Sequence, residues 1–418
     1  MHANTDMTPA EPPDPAGPVD HSVTAASPAD EPEISPTRYR EMTGEDLRST
    51  LDITTWDTGV RALQAFERLE REVEQAERYS DEIRQAVRKH VFELIPKVLG
   101  APREAGVYRA SLDELRSAQK NVLFNGLVEA CDGNSHIFYT VPIQIIQIAV
   151  AAITYHGEES TWANRIFRRD IPLKGGADIL QETIDLLSRR AEKEHRGGRR
   201  VVTDMMRRAV MTYMERIVLA DRAQAPWRMG HGNPLAYELL TGSGQVELIG
   251  YSVDVLRRLV LEHKKFVFVP SESNAEHLLT IGDALHPLEY TIVNTAVADL
   301  EKLLGGGFRG QWKGVLTNTL EPFCAEAGPV VLTGVFRASA MAPAQMFYAH
   351  KDYVHEAALI AMADSIMQEH RGRPMLLDMA DGLCKTYFGA ETLSMPAQFA
   401  FAQSGEPYRY LDERITRA

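Results

Sequence analysis

Short runs of valine, isoleucine and aromatic residues recur along the chain between stretches of helical spacing, and this alternation most narrows the fold. Residues 121–131 and 143–155 are two such runs, separated by the turn-forming sequence Asp132-Gly133-Asn134-Ser135. They predict a strand, a polar loop and a second strand. Residues 266–269 and 330–336 are continuous apolar runs of the kind that form buried strands. Residues 236–241 read as another strand, entered from a Gly/Pro loop. Helices are predicted at 178–194, 203–223, 252–263, 287–304, 354–370 and 374–388. Strands alternating with helices imply an α/β layered body.

Upstream, residues 42–99 are helical and strongly charged. Val60, Leu63, Phe66, Leu69 and Val73 recur at three- and four-residue steps, the pattern of an amphipathic helix. Such an arm, spanning 37–118, either caps the main domain or dimerises with a second copy. Residues 1–36 hold seven acids and no Lys or Arg, so of the net charge of −13 the tail carries −7 and the rest −6. Eight of the 22 prolines also fall there. A tail so poor in apolar surface is expected to be disordered.

The mildly acidic body argues against coating nucleic acid through bulk charge, though not against a local groove. Three cysteines in 418 residues point to a reducing compartment without a disulfide framework. The most apolar run, 141–155, is interrupted by Gln144 and Gln147 and falls short of the roughly 20 residues of a membrane span. With no basic start followed by an apolar stretch, the N-terminus lacks a signal-peptide pattern. A cytoplasmic protein is expected.

Several common sites are excluded by spacing. Gly305-Gly306-Gly307 with Lys313 does not make a phosphate-binding loop, and Gly242-Ser243-Gly244 lacks the flanks of a nucleophile elbow. No Cys/His spacing supports zinc, and His350 and His355 read as surface or capping residues. What remains is carboxylates in apolar surroundings. Asp132 directly follows an apolar run and precedes Gly133, a place where an ionised acid needs a partner such as a divalent cation or an Asx-turn. Glu215 lies in a helix apolar on most sides, seven residues after Arg208, and is either a ligand or half of an ion pair. Glu238 is read in the strand at 236–241. Asp378 and Asp381 share one helix face, and Asp364 lies on the preceding helix; metal binding, capping and interhelical ion pairing all remain open for them. A basic stretch including Arg189, Arg190, Arg196, Arg199, Arg200 and Arg208 could track a phosphate backbone. The loop containing Trp227, Arg228, Gly230 and His231 could stack on a base or fold over a substrate.

Taken in order, these pieces resemble the NurA nuclease family, over about residues 120–390. The family pattern opens with Asp-Gly-Ser at the end of the first core strand, met here by Cys131-Asp132-Gly133-Asn134-Ser135 with one residue inserted. Its Arg…Glu helix resembles Arg208 to Glu215. Its second strand, also ending in Asp-Gly-Ser, is matched to Leu240-Thr241-Gly242-Ser243. Its proline-led helix with an Ala-His pair is matched to Arg373-Pro374 and Ala380-Asp381. Thr241 and Asp381 depart from the family pattern.

The resemblance implies an RNase H-like mixed sheet flanked by helices over 119–418. It also implies a Mn²⁺- or Mg²⁺-dependent deoxyribonuclease acting on single strands or DNA ends, with a HerA-like hexameric ATPase as partner. Two ions about 4 Å apart would activate water and stabilise the leaving oxygen. Asp132, Glu215 and Asp381 would be catalytic, with Asp132, Glu215, Glu238 and Asp378 as metal ligands. Arg208, Arg228, His231, Arg199 and Arg200 would bind DNA. The alternatives are a non-catalytic nuclease-like subunit docked on an ATPase, which the Thr241 departure favours, and a hydrolase of small phosphoesters.

Overall fold

The computed structural model describes residues 35–56, 62–141, 143–157, 161–170, 205–271, 276–305 and 312–410. The predicted helix at 178–194, most of the basic stretch, and all but the last residues of the acidic tail therefore lie outside the described residues. The chain divides into two compact units, Met1–Glu77 and Arg78–Ala418. In the first, the helix Pro36–Thr43 is capped by Ser35, whose side chain accepts from the Arg38 N–H, and ends at Gly44 in the left-handed region. The long helix Ala62–Ala86 begins here, with Phe66, Leu69 and Val73 exposed. No described helix is long and apolar enough to cross a membrane.

The larger unit is built on one mixed sheet of β1 (Gly106–Arg109), β2 (Val128–Val141), β3 (Ile143–Ile153), β4 (Thr161–Asp170), β5 (Trp227–His231), β6 (Phe266–Val269), β7 (Glu289–Thr295), β8 (Val331–Arg337) and β9 (Gln345–His350). Their spatial order is β1-β7-β8-β9-β6-β5-β2-β3-β4, and β10 (Arg409–Tyr410) pairs with the far end of β2. β5 is parallel to both β2 and β6, and the other pairs are antiparallel. The run β4-β3-β2-β5-β6, three antiparallel strands followed by two parallel ones, has the connectivity of an RNase H-like core. The remaining strands widen that sheet.

Alternation along the strands divides the core in two. Val128 and Ala130 of β2 and Val267 and Val269 of β6 pack with the helix Val354–Ser365 and the start of the helix Met375–Phe388. Cys131, Phe266 and Phe268 point the other way, into a cluster with the helical segments 211–222 and 246–263. Period-two burial on both faces is what a strand with helices above and below requires.

Four sequence expectations are corrected. Asp132-Gly133-Asn134-Ser135 is not a loop but the middle of β2, paired with Ala151, Val150, Ala149 and Ile148 of β3. Residues 236–241 form a short helix, Tyr237–Leu240, so Glu238 and Thr241 are not on a strand. The loop at 227–234 supplies β5, held by Arg228, whose guanidinium donates to the carbonyls of Leu219 (2.7 Å) and Ala223 (2.6 Å). Residues 287–304 divide into β7 and the helix Val297–Leu304; the β-branched run Thr291-Ile292-Val293 overrides the helical spacing.

Asp364, on the helix Val354–Ser365, is fully buried, accepting from the Tyr155 hydroxyl (2.5 Å) and the Leu376 N–H (2.9 Å). Burial pushes its carboxyl from the ordinary 3.8 up to about 6. The folded value lies above the unfolded one, so the stabilising contribution is full below about pH 4 and is lost as pH rises through 6. At about 1.4 kcal/mol per unit, this amounts to about 3 kcal/mol. Denaturant unfolding at pH 4 and pH 7.5 should show the wild type losing that much more stability than Asp364→Asn. Equal losses in both would contradict the assignment.

Candidate active site

β2 and β5 run side by side only as far as the pair Cys131↔Gly230. Beyond it the strands part, and Asp132 stands at the opening, 4% exposed. Ligand sites in open α/β sheets lie at such openings, outside the carboxyl ends of parallel strands. One face of this opening is covered by the helix Met211–Ile217. On the other, the Cys384 thiol of Met375–Phe388 lies 3.5 Å from the Asp132 carbonyl oxygen.

Asp132 Oδ1 accepts from the Gly133 N–H (2.8 Å) and faces His231 Nδ1 at 3.3 Å. His231 is the last residue of β5, and its Nε2 lies 2.7 Å from Ser271 Oγ, just past β6. Burial alone would lower the proton affinity of His231. The hydrogen bond and charge of Asp132, with the charge of Glu215, outweigh it and raise the imidazole above its ordinary value.

Glu215 reaches the opening from the helix above, 3% exposed. Its Oε2 accepts from Arg216 (3.1 Å), while Oε1 is buried without a hydrogen-bond partner. Burial pushes this carboxyl up to about 7, reinforced by Asp132 and opposed by Arg216. Arg216, 1% exposed, also donates to the carbonyls of His231 (3.1 Å) and Asn233 (2.9 Å), and stacks on the Phe268 ring at 4.4 Å. That ring lies so close over Gly230 that any Cβ there would overlap it.

Gly133 has a similar role toward Glu215: a Cβ at this position would meet Glu215 Oε1 at 2.6 Å and Met211 Cγ at 2.8 Å. Gly133→Ala should therefore displace the Glu215 carboxylate while Asp132 stays in place. Any reaction that uses Glu215 should slow at least tenfold, with a stability loss of about 1–3 kcal/mol from overpacking. Paired rate and melting measurements check this, and an unaltered rate would contradict the placement of Glu215.

The structure brings together Asp132, Glu215 and His231. No hydrogen bond or ion pair links Glu238, Asp378 or Asp381 to them among the described residues. Glu238 is half-buried on its short helix. Asp378 is held by Gln368 (2.7 Å) and Arg371, and Asp381 by Lys385 (2.6 Å). Arg228 is 7% exposed with its charge turned inward, away from any substrate. Arg208 is exposed, so the cation paired with Glu215 is its neighbour Arg216. Arg199 and Arg200 lie outside the described residues.

The strand that follows the Arg…Glu helix is β5, which ends His231-Gly232-Asn233. Thr241 follows the short helix Tyr237–Leu240 and ends no strand, whereas His231 ends β5. Sequence reasoning singled out neither Arg216 nor Ser271. Adjacency to Glu215 was the available signal for the first, and the two-residue distance from a buried apolar run for the second.

No family model and no curated protein matches the chain. Among solved structures, it is similar to the NurA nuclease from Sulfolobus solfataricus, at 9% identity and a TM-score of 0.38 over 70% of this chain and 94% of that one. It is also similar to a structure of NurA (9%, TM-score 0.40, 69% and 95%) and to one of NurA with manganese (10%, TM-score 0.37, 69% and 95%). At these values no residue correspondence follows.

Proposed function

We propose that the chain is a divalent-metal-dependent deoxyribonuclease whose site is Asp132, Glu215 and His231 at the opening between β2 and β5. The carrying observation is Glu215 Oε1, a buried carboxylate oxygen without a partner beside the residue that follows Asp132. An acid so placed calls for a cation.

Among the described residues no three His, Cys, Asp or Glu side chains already form a metal cage. Two carboxylates nonetheless fit Mg²⁺ or Mn²⁺, which commonly take one or two carboxylates together with water and substrate phosphate. The donor set suits one ion rather than the bridged pair implied by the family resemblance. Asp132 and Glu215 would hold it, and when bound it would polarise the phosphoryl group and acidify a water. His231, whose Nδ1 lies 3.3 Å from Asp132 Oδ1, would move a proton at the reacting phosphate. Arg216 ties the helix to the end of β5, and exposed Arg208 on the same helix suits the DNA backbone. The same reading makes a HerA-like hexameric ATPase the partner.

The test is cleavage of end-labelled single-stranded and blunt duplex DNA by the full chain with Mn²⁺ or Mg²⁺. Cleavage that EDTA stops is expected, and intact DNA under every condition would overturn the reading. Arg216 favours a second reading, the non-catalytic subunit: its guanidinium already supplies Glu215 with a positive charge. That alternative predicts a stable complex with an ATPase and no metal uptake.

A further inference from the structure

We infer that Ser271, His231 and Asp132 form a nucleophilic triad, giving the chain a metal-independent covalent activity toward phosphodiesters beyond the metal-dependent reading. Ser271 Oγ lies 2.7 Å from His231 Nε2, and His231 Nδ1 lies 3.3 Å from Asp132 Oδ1. This is nucleophile, base and orienting acid in hydrogen-bonding order. The three come from adjacent parallel strands. Asp132 follows the last β2–β5 pair, His231 ends β5, and Ser271 follows β6 by two residues. Three chain segments distant in sequence thus deliver the three groups to one end of the sheet, where substrates have access.

Burial fits the roles. Asp132 is 4% exposed and receives the Gly133 N–H, which fixes its carboxylate. The His231 side chain is 32% exposed, and Ser271 is exposed and open to an incoming substrate. With Nδ1–H donated to Asp132, Nε2 is free to accept the serine proton. The phosphodiester class rests on the proposed function: exposed Arg208, in the turn that leads into the helix Met211–Ile217 over the opening, suits a phosphate backbone.

The steps balance without a co-reactant beyond water. The Ser271 O–H proton passes to His231 Nε2 as Oγ attacks phosphorus. The bond from phosphorus to the leaving oxygen breaks, and His231 returns the proton to that oxygen. Water then attacks the phosphoseryl phosphorus, giving a proton to His231, and Oγ departs and recovers it.

The experiment is labelling of the full chain by a fluorophosphonate probe in EDTA, read by intact mass and peptide mapping. Chelation separates it from the metal-dependent reading, so cleavage with Mn²⁺ can fail while labelling succeeds, and the reverse. We expect one adduct per chain, on Ser271, absent from Ser271→Ala and His231→Gln. In Asp132→Asn labelling should slow by up to ~10⁴-fold, as when an orienting carboxylate becomes an amide. Ser271 is exposed, so its alanine variant should fold, and a matching melting curve checks that. Absence of wild-type labelling, an adduct elsewhere, or undiminished labelling of folded His231→Gln would overturn the triad.

Discussion

Asp132→Asn is expected to reduce metal-supported DNA cleavage at least about a thousandfold while leaving the protein folded. Asparagine keeps the shape of the side chain and an oxygen to accept the Gly133 N–H bond. It removes the negative charge that would anchor a cation and that raises the proton affinity of His231. Losing about 4 kcal/mol of charge stabilisation in the transition state corresponds to that factor, at tenfold per about 1.4 kcal/mol. Stability should change little, because the substitution also removes a charge that repels buried Glu215. Single-turnover cleavage of an end-labelled oligonucleotide, with a melting curve on the same sample, measures both. A folded variant retaining a tenth of wild-type activity would remove Asp132 from the reaction.

Arg216→Met is the substitution expected to cost most in stability, about 3–5 kcal/mol, the usual penalty for leaving one member of a buried ion pair alone. The arginine bonds to Glu215 and to the carbonyls of His231, at the end of β5, and Asn233, just past it, and its guanidinium stacks on Phe268. Methionine recovers part of the packing and none of the donors. Without Arg216 the Glu215 carboxyl, already at about 7, rises further above its unfolded value. Its contribution is then lost as pH increases, so the destabilisation should be larger at pH 8 than at pH 6. Adding Glu215→Gln should restore much of the loss. Denaturant unfolding of the two single variants and the double decides this, and strictly additive effects would mean the pair is not coupled.

The elements legible in the sequence are those whose local pattern agrees with their surroundings. β6 and β8 are short apolar runs, and the helix Val354–Ser365 is rich in apolar residues; each is largely buried as its composition demands. Asp132 and Glu215 stood out as acids in apolar context, and both reach the opening in the sheet. β5 was hidden because Trp227-Arg228-Met229-Gly230-His231 reads as a polar loop. Its strand character depends on carbonyls of 219 and 223 that accept the Arg228 guanidinium and on a Phe268 ring that needs the space above Gly230. The turn-forming residues after Asp132 were misleading for the opposite reason, since a well-paired neighbour in β3 holds them extended. Asp364 and Asp378 resembled ligands in one dimension, but their partners Tyr155 and Gln368 become visible only in the fold.

Titration of Mn²⁺ into the full-length chain by isothermal calorimetry, with Glu215→Gln alongside, addresses the buried carboxylates directly. One ion bound per wild-type chain, with binding abolished or weakened at least tenfold in the variant, is the predicted result. No heat of binding, or equal affinity in both proteins, would mean that the unpartnered oxygen of Glu215 is not a cation site.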